Sequence, residues 1–569
     1  MYKVGGTTNI LLGENTVYPK VSKNEACKVL RICERIASPS KIVGACRYYG
    51  AGEGGILLVV EGYPQKMKFQ SETIDSSTVK ILIVDQWIFE RDVENGWLGE
   101  FLSEKITFFY EPIVNGEYLE EQSLKVRTRI MKELLENLVI EYPELSTEFL
   151  IKPEYFIYET ILRRVRLFPL IIQNYLAILR SDNEEGRMES VKKGFVAAAR
   201  ELARGELIRL VNGSIKIEDK FKEGISTRTS LVSSLLKTIR RTLLRYIVGV
   251  HPEIANLVLR DQVIILQKAG PLFYTNALLS KLEDPEDYIF LPTSLGYTPL
   301  SDKTTIDAFL NRRVLGSSAS DITIERLGGV LNSVYLVKYR DRGVDKKVVV
   351  KRFDDWTGFK WFPLAIWALG TKTFIVSGKR RMEKEYSMNT FLYKNGFPVP
   401  RILHVSPKER LVFEEYIEGE NLVDIIKGVT DNRRSLNSKE NPIMKTAKRI
   451  AEAHTLDVAI GDCKPENVIV SGSGETYFVD LEQGTKNGDF AWDVAEFLYF
   501  LGHYVSIFSD GKIIDLMIEE FIKGYLSGGG ELDTLRKAAS IKYSKVFSLF
   551  TPPRILLRIS DHLERVPSF

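Results

Sequence analysis

The stretch from Gly461 to Asp480 constrains this 569-residue chain more than any other. It reads Gly461-Asp462-Cys463-Lys464-Pro465-Glu466-Asn467, then Val468 to Val470, then Ser471-Gly472-Ser473-Gly474, then Thr476 to Asp480. Two short β-rich runs around a Ser/Gly turn predict a tight hairpin. With the turn centred on Ser473-Gly474, position 467 lies opposite position 480, because residue numbers across an antiparallel pair sum to a constant. Asn467 and Asp480 then share one end of the hairpin, and Asp462 enters that end from the preceding loop. A carboxylate suited to act as a base and two hard oxygen ligands of the kind Mg²⁺ takes are brought together without help from distant chain. A polar loop that merely caps a sheet does not require these residue types to coincide.

Upstream, Ile322 to Leu327 and Val334 to Tyr339 are strand runs joined by Gly328-Gly329-Val330-Leu331-Asn332-Ser333. Glycines there let backbone N–H groups approach phosphate oxygens. A third run, Lys347 to Phe353, puts Lys351 on the same side as Val349 by period-two alternation, a place from which an ammonium can reach phosphates bound beneath the hairpin. A helix expected from about Lys379 to Lys394 carries Glu385, an acid able to pair with that lysine. Neither Lys351 nor Asp462 is expected to be needed for packing.

In Lys351, Glu385, Glu415-Tyr416-Ile417-Glu418-Gly419, the Gly461 to Asn467 loop, Val479-Asp480 and Asp493 opening an apolar run, residues 322 to 505 resemble the protein-kinase-like superfamily. The resemblance is closest to its compact atypical members, the RIO-type kinases and the KEOPS-complex kinase family. It implies a bilobal kinase-like domain over residues 316 to 569, with ATP held at Gly328, Gly329, Lys351, Glu415 and Ile417, and Mg²⁺ or Mn²⁺ held by Asn467 and Asp480. It also implies Asp462 as catalytic base, Lys464 steadying the γ-phosphate, Glu385 positioning Lys351, and Asp493 bracing the catalytic loop.

The chain departs from that pattern in places. Ile460 stands where the family has the histidine of its catalytic loop, and the metal-binding triplet reads Asp480-Leu481-Glu482, so Glu482 is expected to add negative charge near the metal. Of the loop glycines only Gly329 falls at a family position when Val334 is the anchor. Only twelve residues separate Asp480 from Asp493, which leaves little room for a phosphorylation-switched segment. The run Gly488-Asp489-Phe490-Ala491-Trp492-Asp493 resembles the aminoglycoside phosphotransferases instead. A Ser/Thr protein kinase of atypical compact type, with a protein substrate as partner, is therefore the expected function. The alternatives are a small-molecule kinase and a nucleic-acid-binding scaffold whose kinase-like domain senses ATP.

The rest of the chain is read as two further domains, making a multidomain protein of mixed α/β and α+β class. Residues 1 to 117 read as a small α/β domain: Ser22 and Glu25 form a capping box opening a helix near Lys23, and Ile56 to Glu61 and Val79 to Phe89 read as buried strands. Gly44-Ala45, then Gly54-Gly55 before a strand, faintly resembles the nucleotidyltransferase fold, but Gly54 and Ile56 stand where that fold has its paired aspartates, so the resemblance implies a binding or scaffold role and not two-metal nucleotidyl transfer. Residues 118 to 315 read as mostly helical. There Leu207 to Val211 and Ser214 to Ile217 flank Asn212-Gly213 as a winged-helix-like hairpin after a helix bearing Lys192, Lys193, Arg200 and Arg204. A weak nucleic-acid contact is one reading of that helix, and a solvated face, like the one expected for Lys237, Arg240, Arg241 and Arg245, is the plainer one.

The 78 basic and 75 acidic side chains nearly cancel, so no global polyanion-binding field is expected. No run reaches the length of a membrane span, and four scattered cysteines without a CxxC pair suggest neither disulfides nor zinc, which fits a reducing cytoplasm. An aromatic insertion, Trp356 to Trp367, is either a buried helix or an exposed docking patch.

Overall fold

The computed structural model describes residues 23–38, 40–49, 55–74, 77–167, 175, 184–225, 282–310, 320–328, 333–341, 343–355, 374–431, 441–505, 511–548 and 551–566. The chain is a mixed α/β molecule with several separate sheets, divided into two compact units, residues 1–290 and 291–569. Among the described residues no helix is long and apolar enough to cross a membrane. The aromatic insertion, the linker around Ser317 and the basic residues from Lys237 to Arg245 lie outside the described residues.

In the first unit, β1 (Lys41–Tyr48), β2 (Gly55–Glu61), β3 (Met67–Ile74), β4 (Ser77–Asp85) and β5 (Tyr110–Val114) form one sheet in the order β3-β4-β2-β1-β5. Only the β2–β4 pair is parallel. Ile56, Leu58 and Val60 alternate onto one face with Ile81 and Ile83, and there they pack with Val29, Cys33 and Ala37 of the helix Lys23–Ala37. The helix expected near Lys23 is present, whereas the second strand run is shorter than its apolar sequence predicts. β4 stops at Asp85, whose carboxylate accepts the Trp87 N–H at 3.2 Å and caps the helix Gln86–Asn95, so Trp87 to Phe89 are helical. Gly44 lies inside β1 at a bulge and not in a turn, and a Cβ there would stand 3.0 Å from Tyr118 of the helix Gly116–Glu141.

The hairpin after the basic helix is confirmed. Ile208–Val211 and Ser214–Ile217 pair in antiparallel register about Asn212 (φ 49°) and Gly213 (φ 74°), the two left-handed residues of a type I′ turn. The helix before it runs Glu184–Arg204.

The second unit carries an antiparallel five-stranded sheet. Across it run Ser320–Gly328, Ser333–Asp341, Val344–Arg352, Leu411–Glu415 and Ile402–Ser406, in that order. Val337, Val348, Val350 and Phe413 fill one face together with Phe309. The helix Gly378–Lys394 belongs to the same unit. The remainder is mostly helical around a large core that includes Ile450, Val468, Phe478, Val494, Leu498, Phe521 and Leu535.

Candidate active site

Val344–Arg352 is the middle strand of its sheet, and alternation turns Val348 and Val350 to the apolar face and Lys351 to the other. Lys351 is 6% exposed. Its Nζ donates to Glu385 Oε1 at 2.5 Å, to the carbonyl of Val479, and lies 3.2 Å from Glu414 Oε2. Glu385 comes from the helix Gly378–Lys394 as expected, and its second oxygen accepts the Leu481 N–H at 2.7 Å. Lys351 is thus the hub of a buried ion network, and the expectation that packing does not need it is corrected.

Glu414 is not among the residues expected from sequence. Its neighbour Glu415, expected with Ile417 to hold ATP, takes the Arg401 guanidinium at 2.5 Å near the surface, and Ile417 is half-buried just beyond it. Glu414 is two residues along from Val412, the register partner of Lys351, and therefore lies on the lysine's face of the sheet. A glutamate continuing the apolar run Leu411-Val412-Phe413-Glu414, in alternation with Val412, was the available signal.

One ammonium among several buried carboxylates sets the local charge balance. Burial works against the charge of Lys351, but Glu385, Glu414 and Asp480 outweigh it and hold the lysine firmly protonated. Burial pushes the Glu385 carboxyl up to about 8, with Lys351 pulling it down and Glu414 pushing it further. Burial also raises Glu414 against the pull of Lys351, and raises Asp480 well above the usual carboxylate range, with Glu482 adding to it.

The second group forms at the Gly461–Asn467 loop. Gly461 has φ 85°, a left-handed conformation that turns the chain sharply into Asp462. Asp493, the fourth residue of the helix Phe490–His503, accepts the N–H groups of Ile460 at 2.6 Å and Gly461 at 2.8 Å. Behind it His454 Nε2 lies 3.1 Å from Asp493, and His454 Nδ1 lies 2.8 Å from the Tyr525 hydroxyl. Glu496 accepts the Cys463 N–H at 2.7 Å. The loop so held presents Asp462, whose Oδ2 receives Lys464 Nζ at 2.9 Å and Asn467 Nδ2 at 3.0 Å. Burial lowers the Lys464 pKa, but Asp462 and then Asp480 raise it to a net increase, so this ammonium also stays charged.

Asn467 and Asp480 meet at one end of the hairpin in a register one residue off the expected one. Val468 pairs with Phe478 and Val470 with Thr476, so the Val479 N–H bonds the Asn467 carbonyl at 3.0 Å. The loop is Gly472-Ser473-Gly474, with Gly474 at φ 78°, a three-residue connection that centres the ribbon on Ser473. Asp480 is the first residue beyond that pair. Val479, just before it, links the two groups: its carbonyl accepts from Lys351 Nζ and its N–H bonds the Asn467 carbonyl.

Glu482 is paired, both its oxygens lying 3.1 Å from Nη1 of the fully buried Arg381, and its charge still helps to raise Asp480, as expected. Gly328 ends its strand opposite Val334, and Gly329 lies outside the described residues. Asp480 Oδ1 is buried with no hydrogen-bond partner among the described residues. The Asn467 amide nitrogen is committed to Asp462, which leaves the amide oxygen as its cation-facing atom. Two hard oxygens fit Mg²⁺ or Mn²⁺, and among the described residues no three His, Cys, Asp or Glu form a metal cage, so phosphate oxygens and water would complete the shell.

On the helix Glu184–Arg204 of the first unit, Lys192 pairs with Glu154 at 2.6 Å and Arg204 with Glu201 at 2.7 Å, so two of the four cations singled out there are neutralised by partners. No family model matches the chain, and no curated protein matches it either.

Proposed function

We propose that the second unit is an ATP-dependent phosphotransferase of the protein-kinase-like type, passing the γ-phosphate to a serine or threonine hydroxyl of a protein. The observation that supports the reading is the meeting, at Val479 just before Asp480, of two groups far apart in sequence: Lys351 with Glu385, whose ammonium donates to the Val479 carbonyl, and Asp462 with Lys464 and Asn467, whose carbonyl takes the Val479 N–H. In this reading Lys351 holds phosphate oxygens, and Glu385 fixes its position. Asp462 takes the proton from the attacking hydroxyl, oriented by Lys464 and Asn467 at its Oδ2. Lys464, beside that base, balances charge building on the transferring group. Asn467 and Asp480 would hold Mg²⁺ or Mn²⁺, whose charge screens the phosphates.

One feature favours the small-molecule alternative. Between Asp480 and Asp493 the chain forms only the short strand Thr485–Lys486, paired with Val458–Ala459, before the next helix begins. That segment builds no extended platform for a peptide.

Incubation of the protein with γ-labelled ATP and Mg²⁺ or Mn²⁺, with and without cell extract, separates the readings. Label on Ser or Thr, reduced roughly 10- to 100-fold by Lys464→Ala and abolished by Asp462→Asn, is expected. Label only on a small metabolite selects the alternative acceptor, and release of free phosphate alone removes the transferase reading.

A further inference from the structure

An ammonium group has three N–H donors and no more. At Lys351 Glu385 Oε1 and the Val479 carbonyl accept two of them, and Glu414 Oε2 stands 3.2 Å away as a third, ion-paired oxygen. A phosphate oxygen that comes to this lysine competes with these three.

The three are not equally replaceable. Glu385 has the short contact, and its other oxygen is fixed by the Leu481 N–H. The Val479 carbonyl belongs to the main chain next to the hairpin pair. Glu414 has the longest contact, at 3.2 Å, and its Oε1 is buried with no hydrogen-bond partner among the described residues. It stands on the strand beside Lys351 and directly precedes Glu415 to Ile417, the segment read as holding the base.

We infer that Glu414 occupies the phosphate's place on Lys351, and that nucleotide binds by exchanging this carboxylate for a phosphate oxygen. The inference rests on the phosphotransferase reading and adds to it a residue that sets how tightly nucleotide is held. Exchange strands a buried carboxylate without its cation, an unfavourable change that weakens the net affinity for nucleotide. Glutamine at 414 still accepts from the lysine but leaves no charge behind when displaced. Leucine offers no competitor at all.

The test is equilibrium titration of the full chain, wild type, Glu414→Gln and Glu414→Leu, with ATP, ADP and adenosine. Both variants are expected to bind ATP and ADP about tenfold more tightly than wild type, while adenosine, which lacks phosphates, binds all three alike. If Glu414→Leu does not fold, the isosteric Glu414→Gln carries the comparison. Wild-type binding of ATP with no tightening in Glu414→Gln overturns the exchange and leaves the phosphotransferase reading standing. Equal tightening for adenosine also overturns it, because the effect then lies at the base. Absence of ATP binding by every form removes both.

Discussion

At Lys351 a single ammonium serves Glu385 and Glu414 in a buried setting, and that imbalance makes stability depend on pH. Glu385 has an ordinary value near 4.5 and is pushed up to about 8 in the fold, first by burial. The native state therefore binds protons that the unfolded chain has released, so stability from this group is fullest below about 4.5 and is lost as pH rises toward about 8. Melting temperature of the ligand-free protein is expected to fall across that window, and less steeply in Glu414→Gln, which has one carboxylate fewer. A rising curve, or identical slopes, would sink this account. Lys351→Met leaves the carboxyls without a cation, with an expected loss of about 3 kcal/mol near pH 8 and a smaller loss near pH 5, where they can take up protons. Denaturant titration at the two pH values reads the difference. Loss of activity in this variant therefore needs a folding control beside it.

The helix Gly378–Lys394 is tied to the segment after Asp480 by three separate contacts or near neighbours. Glu385 takes the Leu481 N–H, Arg381 takes Glu482, and Gln483 bonds the backbone of Ile375 just ahead of the helix at 3.1 and 3.3 Å. Removing one member of the buried ion pair, as in Arg381→Leu, is expected to cost about 3 kcal/mol, while Arg381→Leu with Glu482→Leu regains most of it, because two apolar groups leave no charge unpaired. Hydrogen exchange at the Leu481 amide reports whether the helix still holds the segment. If the double variant is as unstable as the single one, the pair is not the tie. The hairpins and the helix were legible in sequence because local alternation and turn residues determine them, as Asn212-Gly213 shows. The one-residue slip at Asn467 was not, since a Ser/Gly run is compatible with turns of two or three residues and only the left-handed Gly474 chooses. In the run to Phe89 the apolar residues on both sides of Asp85 masked the one local signal, an aspartate of the type that caps helices. Arg381 escaped notice for a different reason: its partner is a hundred residues away, and burial of a charge is settled by packing that local pattern does not encode.

For the whole molecule, the residues just after Phe290 matter to how the second unit can be isolated. Ser294 and Leu295 donate to the carbonyls of Ile402 and Leu403 at 2.9 and 3.3 Å, Thr298 bonds His404 at 3.1 Å, and the Phe309 ring stacks on Phe413 at 4.2 Å. A fragment starting at Leu291 keeps all of these and one starting at Ser317 keeps none. The longer fragment is expected to melt cooperatively and the shorter one to melt at least several degrees lower, from loss of the buried Phe309 ring alone. Equal melting points would show that this segment contributes nothing to the unit. The position of the Asp462 loop carries a consequence for endurance. Its backbone hangs on Asp493, Asp493 on His454, and His454 on Tyr525, whose ring lies in the same core as Phe521 and Phe497. The loop is held as long as that core stays shut, so heat is expected to free the Asp462 loop only when the fold itself opens: the loop's endurance is the endurance of the core.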